Sequence, residues 1–138
     1  MAVSEDDVRL VTMKVLESEH AGEVLLSVTF LSSQRMRVLN RRTFDKDRST
    51  DVIAFPMKHQ DTLTGDIYIC PAWARRTAAR LGISEREELV RLIVHGTLHV
   101  LGHEHPNGPS RTSSAMWRLQ EKYVAMSLSA APCNECSD

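Results

Sequence analysis

The stretch LVRLIVHGTLHVL, residues 89–101, decides the fold. Drawn as a helix, it carries apolar side chains on nearly every side, and Arg91 is its one charged residue. A helix of this kind is buried in the core of a globular domain. Ser84, followed three residues later by Glu87, matches the capping box that opens a helix. We therefore predict a central, buried helix that begins just after Ser84.

Two histidines lie four residues apart on this helix, at His95 and His99. Four residues turn a helix by about 400°, so both imidazoles leave the same face about 6 Å apart along the axis. Gly102 can end the helix in the left-handed conformation, which lets the chain turn back and bring in His105. Three such ligands leave the fourth position of a tetrahedral zinc ion to water, as in catalytic sites. The pattern predicts one zinc ion per chain.

Two other interpretations of these histidines need weighing. A single histidine on an apolar face is usually a hydrogen-bonded core residue, but two at this spacing, followed by a third, favour a metal. The spacing also matches the frame of the metzincin proteases, which place a glutamate general base directly after the first histidine. Gly96 stands there instead and cannot take a proton, which argues against peptide hydrolysis.

The remaining periodicities predict an α+β domain, a small sheet covered by helices. Helices are expected at residues 6–20, 32–43, 71–81 and 113–128, and strands at residues 23–31, 51–56 and 66–70, with residues 63–65 as the turn before the last strand. Cys70, at a strand end, is expected to be a small buried apolar residue.

Composition indicates a single soluble domain. The chain has 138 residues with 42% hydrophobic and 25% charged residues, and a net charge of -1. We expect one domain over residues 1–128 and a flexible tail over residues 129–138. The N-terminus has no secretory pattern, and no apolar run reaches the roughly 20 residues of a membrane span, so a cytoplasmic protein is expected. Cys133 and Cys136 supply two ligands where a structural zinc needs four, and are assigned no role.

Charge is unevenly distributed along the chain. Residues 35–91 carry twelve basic and eight acidic side chains, which permits a local basic surface for a phosphate-bearing partner. The densest segment runs from Arg35 to Arg48 and is, on composition alone, more simply a solvated helix face. No aromatic stacking platform is evident, so base-specific recognition is not expected.

Residues 95–105, HGTLHVLGHEH, resemble the H-G-x-L-H-L-x-G-H-D-H signature of the YbeY family of rRNA maturation factors. Two further segments agree, Leu39-Asn40 followed by residues 49–56 (STDVIAFP), and residues 64–69 (TGDIYI). The resemblance implies a zincin-like fold with a mixed sheet. It also implies a zinc-dependent, single-strand-specific endoribonuclease that acts in 16S rRNA 3′-end maturation and ribosome quality control.

The resemblance carries the metal-ligand roles directly onto His95, His99 and His105. His103 stands where the family also uses tyrosine and is not assigned to the metal. Glu104 stands where aspartate is usual; it either orients a ligand or the zinc-bound water, or is simply solvated.

One departure from the family bears on catalysis. The family has a Tyr-Arg pair before the T-D-V segment, and its arginine is held important for activity. Thr43 and Phe44 stand there in this chain. Phosphate contacts must then come from Arg41, Arg42 or Arg48, which are the RNA-binding candidates, or be weak. Arg48 and Glu104 are the catalytic candidates.

Two functions from different classes follow. The first is a zinc-dependent endoribonuclease whose partners are rRNA and the small ribosomal subunit, with no membrane or DNA partner. The second, favoured by the missing arginine, is a non-catalytic ribosome-assembly factor that binds rRNA or a ribosomal protein and uses zinc to hold its fold.

Overall fold

A computed structural model describes residues 1–104 and 114–130. Eight elements follow one another: α1 (Glu5–Ser18), β1 (Val24–Phe30), α2 (Ser33–Phe44), β2 (Val52–His59), β3 (Thr62–Ile69), α3 (Pro71–Leu81), α4 (Glu85–Val100) and α5 (Ala115–Ala130). The predicted α+β class is confirmed, and each predicted helix and strand is present within a few residues of its expected bounds. Within the described residues, no helix has the length and apolarity needed to cross a membrane.

The three strands form one mixed sheet in the order β1-β3-β2. β3 lies in the centre, parallel to β1 and antiparallel to β2, so that Ile67 is opposite both Val28 and Ala54. Cys70, directly after β3, is buried as expected.

Helix α4 packs on this sheet and also contacts α1, α3 and α5. Its predicted burial is confirmed. From Glu88 to Val100, only Arg91 and His99 are partly exposed, and the other side chains are enclosed by protein. The helix at the centre of the domain therefore presents His99 towards the surface while it holds His95 inside.

Local signals set the ends of α4 and its neighbours. The Ser84 hydroxyl accepts a hydrogen bond from the Glu87 backbone N–H at 3.0 Å, which caps α4 as the sequence predicts. Gly82 ends α3 with φ of 71°, and Gly102 follows α4 with φ of 98°. Both are left-handed conformations that glycine adopts without strain. Near the start of α4, Arg86 donates to Asp7 at 2.9 Å and ties α4 to α1.

The expected turn at residues 63–65 is wrong. The chain turns at Gln60 and Asp61, and residues 63–65 lie inside β3, where Leu63 pairs with Lys58. Gly65 has a packing role instead, because a Cβ built on it would lie 2.5 Å from both γ-methyl groups of Val100. Glycine is needed there so that α4 can approach the sheet closely.

Gly96 allows the same close approach from the helix side. A Cβ on Gly96 would lie 2.7 Å from Cγ2 of Ile67, which is fully buried in β3. A β-branched side chain held inside a sheet has little freedom to move aside. The position therefore has no room for a glutamate, which agrees with the expectation that this chain lacks the metzincin base.

We predict that Gly96→Ala destabilises the domain. Alanine gains about 1 kcal/mol in helix propensity, but overpacking a filled core costs about 1–3 kcal/mol. The expected result is a net decrease in the free energy of unfolding, measured by urea denaturation.

The control for this prediction removes the side chain that alanine would meet. In an Ile67→Ala background, Gly96→Ala should cost less than it does in the wild type, because the new methyl group enters the space that the isoleucine leaves. Equal costs in the two backgrounds would contradict the close contact between α4 and β3.

Candidate active site

An open cleft of about 1190 Å³ lies where α4 meets β2 and the segment that follows α2. His95, His99, His103 and Glu104 line it from the α4 side. Phe44, Lys46, Arg48 and Trp73 contribute aromatic and cationic groups. The cleft thus combines imidazoles with cations that can meet phosphate.

The two histidines of α4 lie side by side in this cleft. Their ring centroids are 4.5 Å apart, and the ring planes meet at 77°. His95 is 7% exposed, so one of the two rings is held within the protein. The four-residue spacing has therefore brought both imidazoles together, as a shared ion requires.

Gln120 of α5 determines which nitrogen of His95 carries the proton. Its Oε1 lies 2.6 Å from Nδ1 of His95, while its Nε2 donates to Glu121 at 3.1 Å. Because the amide NH₂ is directed to Glu121, the amide oxygen faces His95 and accepts the Nδ1 proton. Nε2 of His95 then holds the lone pair, which is the form that binds a metal.

The contact with Gln120 continues into an ion-pair network. Arg91 donates to Glu121 at 2.8 Å, to Glu87 at 2.9 Å and to Glu88 at 3.1 Å. These hydrogen bonds, with Glu121 first, raise the pKa of Arg91, and burial raises the pKa of Glu88. The network joins α4 to α5 behind His95 and limits how far Gln120 can move.

A second polar cluster holds His103. Nε2 of His103 lies 2.6 Å from Oε1 of Glu19, and the Tyr123 hydroxyl donates to the other oxygen of that carboxylate. Burial of Glu19 opposes ionisation, but the hydrogen bonds from Tyr123 and His103 lower its pKa. One ring nitrogen of His103 is thus engaged with Glu19. That His103 is not a metal ligand stays a prediction.

Aromatic side chains pack together on the α2 side of the cleft. Phe44 is 48% exposed and stacks on Phe55, with centroids 6.0 Å apart and planes 6° from parallel. Phe55 in turn meets the edge of Tyr68 at 5.9 Å. These three residues are distant in sequence and form an aromatic cluster that sequence reasoning missed. The expectation that the chain has no base-specific recognition stays a prediction.

The other predicted site residues are distributed as follows. Arg48 lines the cleft, Glu104 lies exposed at its edge, and Arg41 and Arg42 are not among the described residues that line it. His105 lies outside the described residues, as do Cys133 and Cys136. Among residues 1–104 and 114–130, no three His, Cys, Asp or Glu side chains are grouped closely enough to hold a metal. The complete ligand set stays a prediction.

Sequence reasoning missed Gln120 and Glu19. Gln120 had a recognisable signal, because it shares the buried face of α5 with Met116 and Tyr123. A polar residue on an otherwise apolar face needs a hydrogen-bond partner. Glu19 had none, since it follows α1 and meets its partners only through the tertiary fold.

Comparisons with known proteins agree with the observed fold. The family model described as Endoribonuclease YbeY matches residues 2–127. The chain belongs to the YbeY family. An Endoribonuclease YbeY of Aquifex aeolicus (strain VF5) is 40% identical over 113 residues, covering 80% of this chain and 74% of the relative. Another, from Sulfurihydrogenibium sp. (strain YO3AOP1), is 34% identical over 116 residues, covering 81% and 76%.

A solved structure of similar fold comes from Thermotoga maritima. This solution structure superposes with a TM-score of 0.70 at 28% identity, and covers 96% of this chain and 87% of the other. The expected membership of the YbeY family and the expected fold are both confirmed.

We predict an unusually high pKa for Tyr123. Burial, with the hydrogen bond to Glu19, raises the pKa of its phenol from 10.0 to about 12. The unfolded chain loses this proton first, so the stability that the phenol contributes is complete below pH 10 and is lost as the pH rises towards 12. Ultraviolet titration of a Tyr68→Phe variant, which leaves Tyr123 as the one tyrosine, measures the value.

Glu19→Gln should lower that pKa to a value between 10 and 12, because burial remains while the charged acceptor is lost. Glu17→Gln, at an exposed position of α1, is the matched control and should leave the titration unchanged. An equal response to both substitutions would contradict the Glu19–Tyr123 contact.

Proposed function

We propose that this chain is a cytoplasmic, zinc-dependent endoribonuclease that cleaves single-stranded RNA in rRNA maturation and ribosome quality control. Its partner would be the rRNA of the small ribosomal subunit. One observation carries the proposal: the histidine pair of α4 shares its cleft with Lys46 and Arg48 in a member of the YbeY family.

The described donors fit a zinc site. His95 and His99 are adjacent, and Gln120 holds His95 in the tautomer whose Nε2 can bind a metal. His105 would complete the set. When bound, zinc supplies Lewis acidity towards a phosphoryl oxygen and makes water more acidic.

The chain's own residues would bind and orient the RNA. Lys46 and Arg48 carry positive charge into the cleft, where they can hold a phosphodiester and offset charge that develops at phosphorus. Glu104 lies at the same cleft and can accept a proton or a hydrogen bond from water. Gly96 offers neither a base nor space for one, which disfavours peptide hydrolysis.

We predict metal-dependent RNA cleavage that requires Arg48. Chelation or His99→Ala should abolish cleavage of a single-stranded rRNA fragment. Arg48→Ala should reduce cleavage by more than about tenfold, because one charge-stabilising donor contributes about 2.7–4 kcal/mol to the barrier. Gel analysis of a labelled fragment measures each rate, and elemental analysis measures the zinc.

Arg42→Ala is the matched control, since Arg42 lies near Arg48 in sequence but is not among the described residues that line the cleft. It should reduce cleavage less than Arg48→Ala does, and both variants should keep their zinc. Equal losses would contradict the assignment of Arg48. Wild-type protein without zinc would overturn the metal site.

The assembly-factor alternative rests on Phe44, which places no charge where the family has arginine. It predicts that wild-type protein binds rRNA without cleaving it. Gain of cleavage in Phe44→Arg, starting from an inactive wild type, would favour this alternative.

We also predict that Gln120 strengthens zinc binding. Gln120→Leu removes the acceptor for Nδ1 of His95, and loss of such a partner usually weakens a metal site by about 10- to 100-fold. Gln34→Leu is the control, because Gln34 is exposed on α2. Competition with a chromophoric chelator measures the affinities, and equal affinities in the two variants would contradict this role.

A further inference from the structure

We propose that Phe44 forms a stacking site for an unpaired nucleobase of the RNA. This inference rests on the proposed function and deepens it by assigning a base-binding residue. Phe44 lines the same cleft as the histidine pair, and nearly half of its surface is exposed.

The ring of Phe44 is held in place before any ligand arrives. Phe55 lies beside it in an offset, nearly parallel stack, and Phe55 and Tyr68 form a T-shaped pair. A ring that is already ordered loses little conformational entropy when a base stacks on it. The exposed part of Phe44 is therefore a prepared aromatic surface.

The segment after Phe44 makes several contacts with α2. Asp45 caps α2 in the left-handed conformation, and the Asn40 side chain donates to the backbone carbonyl of Arg48 at 2.9 Å. Arg37 and Asp47 form a two-contact ion pair at 2.8 and 3.1 Å. These contacts join the segment that follows Phe44 to α2, and the basic side chains of that segment, Lys46 and Arg48, line the cleft.

An aromatic surface beside the two cations Lys46 and Arg48 matches the chemistry of single-stranded nucleic acid. Cations follow the phosphates while aromatic rings stack on the bases, and stacking tolerates any base because each has a π-face. A base within a duplex is already stacked on both sides, so the site would accept an unpaired nucleotide.

The test is a binding cycle that removes the ring and the bases separately. One ligand is a cleavage-resistant phosphorothioate oligouridylate, and the other is a strand of equal length with the same linkages but abasic. Zinc-loaded wild type and Phe44→Ala are titrated with each ligand by fluorescence anisotropy. Stacking on one aromatic ring predicts that Phe44→Ala weakens oligouridylate binding by about 5- to 100-fold and leaves abasic binding nearly unchanged.

Three controls separate stacking from other effects. Val38→Ala, at an exposed position of α2, should bind both strands as wild type does. Phe44→Leu keeps an apolar side chain without a ring, so it should behave as Phe44→Ala does and serves if the alanine variant unfolds. The salt dependence of oligouridylate binding should stay the same in Phe44→Ala, because no phosphate contact is lost.

Equal losses for the two strands would overturn the stacking site, as would wild-type affinity in both Phe44 variants. Cleavage of unmodified RNA is measured in parallel. If wild-type protein cleaves RNA but the Phe44 variants lose no affinity for the oligouridylate relative to the abasic strand, this inference is refuted and the proposed function stands. If the Phe44 variants lose affinity only for the oligouridylate and wild-type protein does not cleave RNA, the nuclease is refuted and the stacking site stands. If wild-type protein binds no RNA, both are refuted.

Discussion

The close approach of α4 to β3 is the contact on which the rest of the structure depends. Each of the two elements has a glycine at the contact. Val100 of α4 packs against Gly65 of β3, and Ile67 of β3 packs against Gly96 of α4. Interiors are packed too tightly to absorb an extra methyl group without displacement. The helix is thereby fixed in position against the sheet, and its two histidines are fixed with it.

Helix position alone does not determine what the histidines can do. Gln120 sets the tautomer of His95, and the ion pairs around Arg91 hold Glu121, to which Gln120 donates. The proposed zinc site would need this kind of support, since ligands that are free to rotate bind weakly. Gln120 and Glu121 of α5 would therefore contribute to the proposed zinc site even though they lie behind the histidines.

Features that depend on local sequence could be predicted. Ser84, Gly82 and Gly102 mark helix ends through their own conformations, and the histidine spacing needs nothing beyond helix geometry. The role of Gly65 could not be predicted, because a glycine near a polar segment resembles a turn and its true role depends on Val100, far along the chain. The aromatic group around Phe44 escaped prediction for the same reason, since its members come from three different elements.

The residues that line the cleft bear on how the proposed nuclease would stabilise phosphate charge without an arginine at position 44. A phenylalanine contributes contact with a base, whereas an arginine contributes contact with a phosphate. In the proposed nuclease the charge would then come from Lys46 and Arg48, which line the same cleft and belong to a segment that Asn40 contacts. In the proposed nuclease, an aromatic ring in place of a cation would shift substrate contact from the backbone of the RNA towards its bases, while the neighbouring segment would supply the charge that phosphodiester chemistry requires.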